Sequence, residues 1–146
     1  MTRSADSELS RPNFFSRLRR ALLVDHDAGD LQYYSALLRG LGYVVHSFAT
    51  YREAERCLEC EVIDFVIVNQ GSPAFEAREL VERVLARNRR TPVVVLTHCL
   101  DMGCYLEAMQ LGAVGYFEKP LSPADLEHLV TTVGSPHLRE MHGQTA

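Results

Sequence analysis

From residue 21 onward the chain repeats one pattern five times: a short apolar run rich in β-branched residues, then a stretch with apolar residues at helical spacing. No other feature of the sequence constrains the fold as strongly. A strand that is apolar on both sides of its backbone must be covered on both faces. A helical connection between two such strands returns the chain parallel to its start. The runs are residues 21–25 (ALLVD), 43–47 (YVVHS), 64–68 (DFVIV), 92–97 (PVVVLT) and 114–117 (VGYF). Leu31, Tyr34, Leu38 and Leu41 mark the first helix, which Gly40 and Gly42 close. Thr50 and Glu53 form a capping box that opens the second. Leu80, Val81, Val84 and Leu85 mark the third, residues 101–111 the fourth, and Ser122, Pro123 and Asp125 open the fifth. The expectation is an α/β fold: a five-stranded parallel sheet, doubly wound, with helices on both faces as a three-layer sandwich. Residues 21–133 form the domain, 1–20 a flexible N-terminal extension and 134–146 a tail.

The 146 residues suit a single domain, and 47% hydrophobic with 23% charged residues is ordinary for a globular protein. A net charge of −4 gives no concentrated basic surface, so no nucleic-acid partner is expected. No apolar run approaches the ~20 residues of a membrane helix, and the N-terminus lacks a secretory apolar region; a cytoplasmic location with no membrane partner is the expectation. Cys57-x-x-Cys60 has ligand-like spacing, and Cys99 and Cys104 could complete a zinc set. The expected topology opposes this. Cys57 and Cys60 end the second helix at one edge of the sheet, while Cys99 and Cys104 follow the fourth strand at the other. A strand of about 5–6 residues at ~3.3 Å each separates them.

In an open parallel sheet, function gathers in the loops after the strand C-termini. Those loops hold Asp25-His26 after strand one, Asn69 with Pro73 after strand three, Thr97 at the end of strand four, and Lys119-Pro120 after strand five. Gly112-Ala113 precedes strand five and Tyr116 lies within it. In this order and at these spacings, the set resembles the receiver domain of two-component response regulators, over roughly residues 21–133. The resemblance implies a flavodoxin-like strand order of 2-1-3-4-5. It also implies a phosphoryl-accepting aspartate at position 69, an acidic pair at 25 and 26, and switch residues at Thr97 and Tyr116 with Lys119 beside them.

Two departures fall on the chemistry. The acceptor position holds Asn69, whose neutral amide is not an anionic oxygen nucleophile. The second acid is His26, a poor ligand for Mg²⁺, which wants octahedral oxygen. One carboxylate removed from ~4 Å forfeits on the order of 4 kcal/mol of gross attraction at an effective dielectric of 20. Asp25 is at most a weak metal ligand, and the resemblance then implies an atypical receiver with weak or absent Mg²⁺ binding, no catalytic residue and no cofactor. Asp27 is read as the N-cap of the first helix, with Asp30 as its third residue, rather than as a replacement ligand. Asp25 and Lys119 are free to pair directly. Asn69, Thr97 and Lys119 form either a fixed polar cluster or a site for another anion or small ligand. His98 narrows that pocket.

Residues 101–111 carry two stripes. Cys104, Ala108 and Leu111 suit the core; Met102, Tyr105 and Met109 suit an outward face beside strand five and the last helix. That face is a candidate surface for a homodimer or another protein, such as a histidine kinase or a separate output protein. Arg87, Arg89 and Arg90 read as a solvated loop run, and Phe14 to Arg20 as disordered or as a short amphipathic helix. About 13 residues follow the last helix, too few for a DNA-reading domain, so output is expected through protein partners. The leading expectation is a non-enzymatic signalling module that works by protein contacts, independent of phosphorylation at position 69. The alternatives are a phosphorelay receiver using another acceptor such as Asp25, and a sensor of small ligands or anions.

Overall fold

The computed structural model describes residues 18–133 of the chain. Strand β1 (Arg20–Val24) leads into helix α1 (Ala28–Gly40), then β2 (Val44–Phe48) and α2 (Tyr51–Cys60). β3 (Phe65–Asn69), α3 (Arg78–Arg87), β4 (Val93–Thr97), α4 (Met102–Leu111), β5 (Gly115–Glu118) and α5 (Pro123–Val133) follow. All four strand pairings are parallel, and the sheet order is β2-β1-β3-β4-β5. This is the flavodoxin-like order that the motif resemblance implies.

Each central strand divides its side chains between two cores, as a period of two requires. Leu22, Val24, Val66, Val68, Val93 and Val95 pack under α2, α3 and α4. Ala21, Leu23, Phe65, Ile67, Val94 and Leu96 pack under α1 and α5. β1, β3 and β4 are therefore apolar except at Arg20, Asn69 and Thr97 at their ends, while β2 and β5, at the sheet edges, are only partly buried.

The helix starts follow the sequence signals. Asp27 caps α1, its Oδ2 accepting the Asp30 N–H at 2.8 Å, and Thr50 caps α2, its Oγ1 accepting the Glu53 N–H at 3.2 Å. Ser122 and Asp125 exchange bonds across the first turn of α5. One expectation needs correction. Arg20 belongs to β1 rather than to an extension, because its N–H donates to Asp64 Oδ2 at 2.7 Å and anchors the strand start. A helix running from Phe14 through Arg20 is thereby excluded at its C-terminal end; residues 1–17, like the tail 134–146, lie outside the described residues. Leu111, expected in the core beside Cys104 and Ala108, packs against that core cluster and is partly buried at the last turn of α4.

Candidate functional site

Four strand ends place the motif residues on one edge of the sheet. Asn69 is the last residue of β3 and pairs in register with Leu96, while Thr97 ends β4 opposite Glu118. Asp25 directly follows β1, and Lys119 follows β5 with a cis peptide bond to Pro120. The alternating topology brings these groups together although 94 residues separate Asp25 from Lys119.

The centre of the site is an ion pair. Lys119 Nζ lies 2.5 Å from Asp25 Oδ2, with the two side chains 1% and 5% exposed. The other Asp25 oxygen accepts the Asp27 N–H at 2.9 Å, so both carboxylate oxygens are bonded within the protein. Lys119 also reaches Asp30 Oδ2 at 3.0 Å, and His98 Nε2 meets that same oxygen at 2.9 Å. Burial pushes the Asp30 carboxyl up, but the hydrogen bond and charge of Lys119, with a further contribution from His98, leave it below its ordinary 3.8.

Around this centre, the remaining motif residues are engaged separately. Thr97 is buried, and its hydroxyl donates to the Cys99 carbonyl at 2.9 Å while accepting the Cys99 N–H at 3.0 Å. His26 sets its ring edge-on to Tyr51, with centroids 5.0 Å apart. The Tyr51 hydroxyl donates to the Asn69 carbonyl at 2.7 Å, and burial, aided by the negative charges of Glu76 and Asp25, pushes that phenol up. Beyond Asn69 the chain turns at Gly71, whose φ of +90° lies in the left-handed region. A Cβ there would stand 2.4 Å from Glu76 Oε1, and Glu76 closes the loop by accepting from both the N–H and the hydroxyl of Ser72.

Among the described residues, no group of three or more His, Cys, Asp or Glu side chains is placed to hold a metal ion. The cysteines lie where topology put them: Cys57 and Cys60 on α2, Cys99 beyond β4, and Cys104 in the core side of α4. Asp27 takes the capping role rather than facing Lys119.

The sequence reading missed three participants. Asp30 was assigned only to the helix start, yet the rotation of α1 turns its carboxylate onto Lys119. Tyr51 carried no signal beyond its place at the start of α2. Gln70 is the third: it is buried next to Asn69 and receives the Tyr116 hydroxyl on its side-chain oxygen. A second polar amide directly after the amide that ends β3 was the available clue.

Met102, Tyr105 and Met109 all reach the surface of α4, with Met102 70% exposed. Leu106 and Phe117 extend the apolar area. Between β5 and α5 lies a shallow groove lined by Val114, Phe117, Leu121 and Leu129. Arg87, Arg89 and Arg90 are exposed at the opposite edge of the sheet. No helix among the described residues is long and apolar enough to cross a membrane.

Comparison with known proteins agrees with this architecture. The chain is 30% identical over 112 residues to the transcriptional regulatory protein ZraR of Escherichia coli, covering 77% of this chain and 25% of that protein. It is 30% identical over 114 residues to the two-component response regulator-like PRR37 of Oryza sativa subsp. japonica, covering 75% of this chain and 15% of that one. The chain thus spans a quarter or less of the length of these two relatives. Among solved structures, the chemotaxis protein CheY4 of Vibrio cholerae superimposes with a TM-score of 0.72 at 27% identity, over 80% of this chain and 99% of that one. A CheY-like receiver from Methanospirillum hungatei gives a TM-score of 0.74 at 23% identity, over 89% and 100%, which speaks to the fold alone. The family model described as the response regulator receiver domain matches residues 21–131. With a motif set, a strand order and a family match that coincide, the chain belongs to the response-regulator receiver domain family.

Proposed function

We propose that this receiver module signals through contacts with other proteins and is not phosphorylated at position 69. The observation that carries the reading is the neutral amide of Asn69 beside an Asp25 carboxylate already consumed by Lys119 at 2.5 Å. An amide is not the anionic nucleophile that attack on a phosphoryl group needs. The donors present do not fit Mg²⁺ either. Of the acidic pair only Asp25 is an acid, both of its oxygens are bonded, and His26 lies against Tyr51. The same bonds argue against Asp25 as a substitute acceptor, since a nucleophile must be free to reach the phosphorus. They also argue against an anion sensor, because the Lys119 charge is offset by two carboxylates.

What remains is the surface. The exposed Met102, Tyr105 and Met109 with the groove between β5 and α5 make an apolar face on a domain with no enzymatic site in this reading. We assign the contact role to this face, with a second copy of the chain as the occupant tested first. Incubation with acetyl phosphate and Mg²⁺, followed by intact mass measurement, tests the chemical half of the proposal. An unchanged mass is expected; a stable species heavier by about 80 Da, the mass of one phosphoryl group, overturns it. Asn69→Asp is expected to restore little phosphorylation, because Lys119 stays bound to Asp25 and Asp30.

A further inference from the structure

The contact face just proposed depends on where α4 and β5 sit, and one residue outside the receiver motif ties both to the core. Gln70 is 1% exposed. Its backbone N–H donates to the Leu96 carbonyl at 2.8 Å, and its carbonyl accepts from the Ala77 N–H at 3.3 Å, so the main chain is held on both sides. The side-chain Nε2 donates to the Ser72 carbonyl at 3.4 Å, which turns Oε1 toward β5. There it accepts the hydroxyl of Tyr116.

Tyr116 passes the tie onward. Its hydroxyl oxygen accepts the Asp101 N–H at 2.9 Å and also lies 3.3 Å from the Asp101 carbonyl. Asp101 is the N-cap of α4, its Oδ2 accepting the Cys104 N–H at 2.9 Å. The Tyr116 ring meets the Tyr105 ring edge-on at 5.8 Å, so the same residue supports the exposed stripe of α4 from beneath. Burial pushes the Tyr116 phenol up, which keeps it protonated and able to donate. Thr97 takes no part, having turned its hydroxyl to Cys99. Were Tyr116 to swing outward, the buried Gln70 oxygen would lose its donor and the Asp101 N–H its acceptor. Buried polar groups seldom go unpaired.

We infer that Gln70 is a positioning residue for the contact face: it holds Tyr116 inward and, through Tyr116, fixes the start of α4 with no modification at position 69. This rests on the reading of the α4–β5–α5 face as the contact surface.

The test is NMR on the unmodified chain, with ¹⁵N amides and ¹³C-labelled Met methyls. Gln70→Met, close in shape but without the amide, is expected to shift the Asp101 amide and the Met102 methyl. It should also speed exchange of the Asp101 amide about tenfold, what one net hydrogen bond is worth. Gln70→Glu with its buried carboxyl protonated, which keeps an acceptor oxygen for Tyr116 and a donor for Ser72, is expected to keep both near wild type. Adding Tyr116→Phe to Gln70→Met should change little further. A folded Gln70→Met with wild-type Asp101 exchange and Met102 methyl shift overturns the inference. Should that variant not fold, the wild-type chain decides: close proton contacts between the Gln70 side-chain amide and the Tyr116 ring are expected, and their absence overturns it. Neither measurement involves phosphate, so failure here leaves the reading of position 69 to the mass experiment.

Discussion

Asp25 and Lys119 are nearly enclosed, and each is the other's main compensation for leaving water. Removing Lys119 strands Asp25, whereas Lys119 without Asp25 still keeps Asp30. Lys119→Met should therefore destabilise the fold by about 3–5 kcal/mol, and Asp25→Asn added to it should recover much of that loss; urea unfolding of the three proteins checks both. Asp30 gives a prediction in pH. Its carboxyl is depressed in the fold, so its contribution is complete above the ordinary carboxylate value and is lost as pH falls through the folded one. Thermal unfolding between pH 7 and pH 2 should show a fall at the acid end that Asp30→Asn reduces, with His98→Ala having a smaller effect. The pairing of Asp25 with Lys119 could be read from the sequence, because motif spacing puts both at strand ends. The second partner could not. Whether Asp30 faces the lysine depends on how α1 is rotated, and that is settled by the packing of Tyr34 and Leu38 against the sheet.

Helix α4 shows what periodicity reveals and where it stops. Two apolar stripes on ten residues separate an inward Cys104 and Ala108 from an outward Met102, Tyr105 and Met109, and both directions were readable. That Tyr105 rests on Tyr116 was not, because helical spacing says nothing about the neighbouring strand. If the outward stripe is the contact face, sedimentation should show self-association that grows with concentration, and Met102→Lys with Met109→Lys should abolish it without changing the melting temperature. A wild-type chain that stays monomeric would redirect the search to a different protein partner. At the end of α4, Gly112 adopts a φ of +113°, and a Cβ there would lie 3.3 Å from Leu85 Cδ1. Gly112→Ala should cost roughly 1–2 kcal/mol from the left-handed backbone alone, measurable by urea unfolding.

At the scale of the molecule, the alternation of strand and helix was enough to specify three layers, and the motif order was enough to anticipate the strand sequence. Sheet order itself has no local signal: β1 lies between β2 and β3 because the chain first winds one way and then the other. That winding brings the ends of β1 and β5 to a shared pocket although β3 and β4 stand between them. The Asp25–Lys119 contact closes a span of 94 residues, so it is placed to form only after the intervening strands have docked. A bond of that kind is expected to form after the folding transition state and to act as a late clasp on the finished sheet. Lys119→Met should leave the refolding rate almost unchanged while raising the unfolding rate by roughly two to four orders of magnitude. The buried pair would then govern how long a folded copy persists, more than how quickly one is made.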